Sequence, residues 1–183
     1  MEKNNYKKII FNLLAIMFLV FCQVGFLSAL PLGLSDLNLA LVSIIFILAM
    51  TDQKNALSFS LGVGLLMDIF SFQPFGVHLL SFAATVTVLQ LLLSRYFTNR
   101  SFYTFLALAF SATVVYQAAI MASQRFFSFV SPVEIAGLDR QLLAGFGRAL
   151  VFNLLFSAVL FYALNFFTNR FKTVFLSKSH AGT

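Results

Sequence analysis

Apolar residues run along this chain in blocks, and most charged residues fall in the gaps between them. The blocks predict helices near Ile9–Leu30, Leu37–Met50, Ala56–Phe72, Val77–Ser94, Phe102–Ala122 and Arg148–Thr168. Most approach the roughly 20 apolar residues that a helix needs to cross a bilayer core. The second does not. At 1.5 Å per residue it covers only about 21 Å of a ~30 Å core. It is expected either to reach back into Leu32–Asp36 or to enter as a half-extended segment.

Composition makes these membrane helices and not the buried helices of a water-soluble core. With 60% hydrophobic and 10% charged residues, the chain cannot clothe a water-exposed surface. The expected architecture is all-α: a polytopic membrane protein, residues 1–183, folded as a six-helix transmembrane bundle with no room for a separate soluble domain. The net charge of +6 could suit phosphates, but the basic residues punctuate the apolar runs without forming a patch, so no nucleic-acid partner is expected. Cys22 is the only cysteine, which excludes an intrachain disulfide and argues against a cysteine metal site. Leu27-Ser28-Ala29-Leu30 loosely resembles a signal cleavage site, but the run before it exceeds the roughly 7–15 residues of a signal-peptide core. An uncleaved first helix is expected.

Positive residues are retained on the cytoplasmic side of membrane proteins. Lys3, Lys7, Lys8, Lys54, Arg95, Arg100, Arg170, Lys172 and Lys178 fall on one side of six crossings, and only Arg125, Arg140 and Arg148 on the other. Both termini are therefore expected in the cytoplasm, with residues 169–183 a basic cytoplasmic tail. The long connection, residues 123–147, is then an external interfacial loop. In it Arg125, Glu134, Asp139 and Arg140 alternate with Phe126, Phe127 and Phe129, apolar enough to lie on headgroups and too charged to cross. It reads as either an ordinary surface loop or a partner-docking surface. The chain has 25 Phe and no Trp; Phe spread over every helix reads as lipid-facing or packing surface. Gly62 and Gly64 on the third helix permit close helix approach, and Pro74 and Gly76 mark a tight hairpin between the third and fourth.

Asp68 is the most informative polar residue. A carboxylate inside an apolar helix costs roughly 2.5–3.5 kcal/mol on insertion scales, so it must face protein or water and find a partner. His78 and Arg148 open the fourth and sixth helices at a similar depth. The expectation is a polar layer of Asp68, His78 and Arg148, extended by Asn153 and Gln23, either locking the helices together or binding a small molecule or proton. Gln90 and Gln117 read as interhelical hydrogen-bonding residues. No phosphate loop, zinc-protease helix or serine-hydrolase elbow is present, and with two histidines and six acidic residues neither an enzyme nor a cofactor or metal site is expected.

The stretch Leu37 to Leu93 resembles MreD, the rod-shape-determining membrane protein family of bacteria. An apolar second helix is followed by a short polar link, by Gly-Leu-Leu-Met-Asp (Gly64 to Asp68), by Pro74-x-Gly76 and by a Leu-rich fourth helix. Where family members often carry Pro at the entry to the second helix, this chain has Ser35-Asp36-Leu37. The resemblance implies a noncatalytic inner-membrane scaffold of the elongation complex. Such a protein acts in cell-shape determination and lateral peptidoglycan synthesis by binding MreC. Through MreC it reaches MreB, a RodA-type glycosyltransferase and a penicillin-binding transpeptidase, with membrane lipids around it. The family is thought to share its fold with the substrate-binding subunits of energy-coupling-factor vitamin transporters, which supplies the alternative function. In that case the Asp68 layer would floor a vitamin site.

Overall fold

The computed structural model describes residues 2–29, 34–51, 53–71, 73–96, 101–128 and 140–167. Among them all regular structure is helical. The helices are α1 (Glu2–Phe21), α2 (Leu39–Met50), α3 (Gln53–Phe70), α4 (Val77–Arg95), α5 (Phe102–Ser128) and α6 (Arg140–Phe167). Three segments, Val77–Arg95, Phe102–Phe127 and Ala144–Ala163, are long and apolar enough to cross a membrane. In α3, polar and small residues from Gln53 to Asp68 dilute the hydropathy, and it is not one of the three.

Helical hydrogen bonding outruns apolarity at several ends. α1 begins at Glu2, within the lysine-bearing segment, and after Phe21 its rod continues as a π-helical stretch, Cys22–Phe26, and a 3-10 turn, Leu27–Ala29. Of the loop expected over 123–147, both flanks are helical, since α5 runs on to Ser128 and α6 starts at Arg140, and 129–139 lie outside the described residues. No Pro interrupts either extension, and Gly145 and Gly147 each cost only about 1 kcal/mol within a helix. Phe129, Glu134 and Asp139 lie outside the described residues, as does the tail 169–183.

α2 lies at the centre. It is apolar on every side, as a fully enclosed helix must be, and touches each of the other five helices. Leu41, Ile44, Ile45 and Leu48 are buried there, and Phe46 meets Phe105 of α5 edge-on at 4.7 Å between ring centroids. The chain does not enter α2 by extending the helix backward. A 3-10 turn at Leu34–Asp36 leads into a non-helical Asn38, so α2 has only 12 residues, about 18 Å.

Lipid tails are as apolar as leucine, so helices in a bilayer are joined by close packing and hydrogen bonds more than by hydrophobic burial. Both glycines of α3 serve that packing. A Cβ on Gly62 would stand 2.9 Å from Ile16 Cδ1 of α1, and one on Gly64 only 2.7 Å from the Leu79 Cα of α4. α3 and α4 thus meet backbone against backbone. Gly76 closes their turn with φ +100°, a left-handed conformation that glycine adopts without strain.

Candidate functional site

The N-termini of α2 and α4 both open at the same end of the bundle and are enclosed by other helices. Each leaves backbone N–H groups that no residue of its own helix can satisfy. The polar residues singled out by sequence gather around these two ends.

Asp68 serves α4. Its side chain is buried, and its oxygens accept from three backbone amides across the turn: Gly76 N to Oδ2 at 3.0 Å, His78 N to Oδ1 at 2.8 Å and Leu79 N to Oδ2 at 3.1 Å. An anion at a helix N-terminus also faces the positive end of the helix dipole. Gly64 lies one turn before Asp68 on the same face of α3. The glycine lets α4 approach and the carboxylate holds its first turn.

α2 is served by amides. The Asn38 side chain accepts from Leu41 N at 2.9 Å, as an N-cap does. From α6, Asn153 Oδ1 accepts from Asn38 N at 2.8 Å, while Asn153 Nδ2 donates to Thr113 Oγ1 of α5 at 3.2 Å. From the π-helical stretch after α1, Gln23 reaches across the same entry. Its Oε1 accepts from Leu39 N at 2.7 Å and its Nε2 donates to Leu37 O at 2.9 Å. Tyr116 of α5 stands beside the start of α4, its hydroxyl 2.9 Å from His78 Nδ1. Its ring packs on Phe82 at 4.6 Å between centroids. All six helices are thereby tied at one level.

Four residues of the expected layer, Asp68, His78, Asn153 and Gln23, belong to this network. Arg148 does not pair with Asp68. Its Nε donates to Asp36 Oδ2 at 2.6 Å in a pair whose side chains are 55% and 26% exposed, while the oxygens of Asp68 are taken by amides. The correction has an energetic consequence. An exposed ion pair contributes about 0–1 kcal/mol, so Arg148→Ala should change the detergent-solubilised melting temperature little. Asn153→Ala should cost about 1–3 kcal/mol by leaving Asn38 N without its acceptor, and its melting temperature should fall clearly below that of Arg148→Ala.

Of the expected docking residues, Phe126 is exposed in the last turn of α5 and Phe127 reaches toward Gly76. Arg140 is the first residue of α6. Pro74 and Gly76 form the turn, with Val77 N donating to Pro74 O at 3.3 Å. Asn38, Thr113 and Tyr116 are network members not anticipated from sequence. For Asn38 a signal existed, an Asn directly before an apolar run being a helix-start pattern. For Thr113 and Tyr116 nothing local gave one.

Chemically, the arrangement is spent on itself. The carboxylate and the amides of Asn153 and Gln23 use both ends of each side chain to hold backbone or neighbouring side chains, and Asn38 Oδ1 holds Leu41 N. Among the described residues no group of three or more His, Cys, Asp and Glu is gathered, and the buried side-chain polar atom without a partner is Ser157 Oγ. An open apolar groove of about 450 Å³ between α5 and α6, lined by Leu106, Ala107, Phe110, Leu154, Leu155 and Ala158, includes no network residue. No protein-family model, curated protein or solved structure matches the chain.

Proposed function

We propose that this chain is a noncatalytic, multi-pass scaffold of the bacterial inner membrane, with both termini cytoplasmic. In this reading it acts in cell-shape determination and lateral peptidoglycan synthesis by binding MreC, as its resemblance to MreD implies. The observation that supports the reading is the use made of the residues that carry the resemblance. Gly64, Asp68, Pro74 and Gly76 all build one rigid α3–α4 hairpin. Their spacing is thereby accounted for by architecture, and the neighbouring polar groups are committed to helix ends. A scaffold needs this rigidity. A vitamin site would need convergent polar groups left over for a ligand.

Depleting the protein in a rod-shaped host should round the cells, and a photocrosslinker replacing the exposed Phe126 should capture MreC. Unchanged cell shape after complete depletion, or purification with a stoichiometric vitamin, would reject the proposal. For the topology, Lys54→Cys in a Cys22→Ser background should react with a membrane-impermeant thiol reagent only after the cells are opened.

A further inference from the structure

Most side-chain amides of the helices are accounted for. Gln23, Asn38 and Asn153 hold the start of α2, and Gln124 Nε2 donates to Gln73 Oε1 at 3.0 Å. Asn12 and Gln90 stand only about 7–8 Å along their helices from Lys7 and Arg95, near the headgroups of the basic end. Gln117 of α5 differs. It is partly buried, and it makes no hydrogen bond among the described residues.

Its depth gives this weight. The exposed Tyr103 marks one membrane–water interface on α5. Gln124 and the exposed Arg125 mark the other, about 31 Å further along, with the exposed Gln73 and the Arg148–Asp36 pair at the same end. That separation matches a hydrocarbon core of ~30 Å. Gln117 lies about 21 Å from Tyr103 and about 10 Å from Gln124, inside the core. Helical Cβ atoms tilt toward the helix N-terminus, so its side chain leans to the bilayer centre and away from the nearer headgroups. An acyl chain offers an amide no hydrogen bond there.

The surface around Gln117 is open. Gln117 stands two turns beyond Phe110 on the same face of α5, and Phe110 lines the apolar groove between α5 and α6. Thr113 meets Asn153, and Phe102 meets Phe161. The two helices therefore run antiparallel in a register that sets Gly147 opposite Gln117, and a Cβ on Gly147 would meet nothing within 4 Å. Phe110, Val114, Val151 and Leu155 are exposed nearby. Ala107 and Ala158 in the groove are small enough to let another helix come close.

We infer that this α5–α6 face joins two copies of the chain within the bilayer, the Gln117 amides of the copies bonded to each other. A second copy suits the amide for two reasons. Copies inserted with one orientation are related by a two-fold axis along the membrane normal, so each residue meets its own depth in the partner. A side-chain amide also carries both donor and acceptor, which makes Gln117 its own complement. None of this requires MreC as a partner, so the crosslinking test above and the one below fail independently.

Single cysteines in a Cys22→Ser background test the contact on the full chain. Val114→Cys, three residues before Gln117 on the open face, should crosslink to itself through a short bis-maleimide, both in native membranes and after purification into phosphatidylethanolamine–phosphatidylglycerol vesicles. Ala84→Cys, exposed on α4, should not. With donor and acceptor dyes on Lys54→Cys, energy transfer should fall as lipid dilutes the protein. Gln117→Leu should shift that dilution curve about three- to tenfold, the effect of losing two interhelical hydrogen bonds, and Gln117→Asn should restore part of the association. Since Gln117 bonds nothing in its own chain, Gln117→Leu should leave the melting temperature of the detergent-solubilised monomer unchanged. A Val114→Cys that crosslinks no more than Ala84→Cys, or only in cells and not in vesicles of the purified protein, would overturn the inference. So would equal association of parent and Gln117→Leu, or a Gln117→Leu monomer that melts lower, which would put the partner of the amide inside the chain. Val151→Cys on α6 carries the same test if Val114→Cys fails to fold.

Discussion

Gly64→Ala should destabilise the bundle by about 1–3 kcal/mol, the range for forcing a methyl into a filled contact. Helix propensity alone gives the opposite sign, since alanine is favoured over glycine by about 1 kcal/mol in a helix interior. The geometry decides between them. The new Cβ would lie 2.7 Å from Leu79 Cα and 3.2 Å from His78 O, both backbone atoms of α4's first turn. Neither can move without withdrawing the amides that Asp68 holds. Gly62→Ala is the matched control on the same helix. Its methyl would meet Ile16 Cδ1 at 2.9 Å, the far end of a flexible side chain that can turn aside. Thermal unfolding in detergent should therefore fall steeply for Gly64→Ala and stay close to the parent for Gly62→Ala. Equal behaviour of the two would show that α3 and α4 do not meet as closely as described.

Asp68→Ala should cost more, on the order of 3 kcal/mol or above. Hydrogen bonds to a charged group are worth about 1.5–3 kcal/mol each, and buried donors left without an acceptor add their desolvation penalty. Three amides lose their acceptor at once. Asp68→Asn keeps one acceptor oxygen but turns an NH₂ toward at least one backbone N–H, so it should fall between the parent and the alanine variant. Arg148→Lys or Arg148→Ala should not reproduce the effect, since Arg148 serves Asp36. The double variant Gly64→Ala with Asp68→Ala should lose less than the sum of the two, because both act on the first turn of α4 and sites that share a partner do not add. Full additivity in denaturant titrations would dissociate the close approach from the cap.

The positions of six helices were legible because apolar runs of this length have few other uses. Their ends were less so, and for a reason visible at Ser128 and Arg140. Hydropathy reports where lipid stops, whereas a helix stops where its hydrogen bonding does. That Asp68 needed a partner was equally legible from its cost in an apolar segment. The identity of the partner was not. A cation is the obvious counterpart for a carboxylate, but a buried helix N-terminus also offers partial positive charge and unpaired donors. The short turn through Pro74 and Gly76 brings those donors within one turn of Asp68. Arg148 instead found Asp36, a pairing across 112 positions that no local pattern announces. Asn153 and Gln23 were placed at the right level, but their task depended on α2 starting as late as Leu39, which leaves its first amides to be satisfied by distant side chains.

The brevity of α2 bears on how the protein is made. A 12-residue apolar helix is too short to hold a transmembrane position by partitioning alone, and its opening amides are capped by Gln23, translated before it, and Asn153, translated long after it. The cap of α2 is therefore expected to be complete only once α6 is in place. The shortest helix of the bundle is thus the one whose place depends on all five of the others.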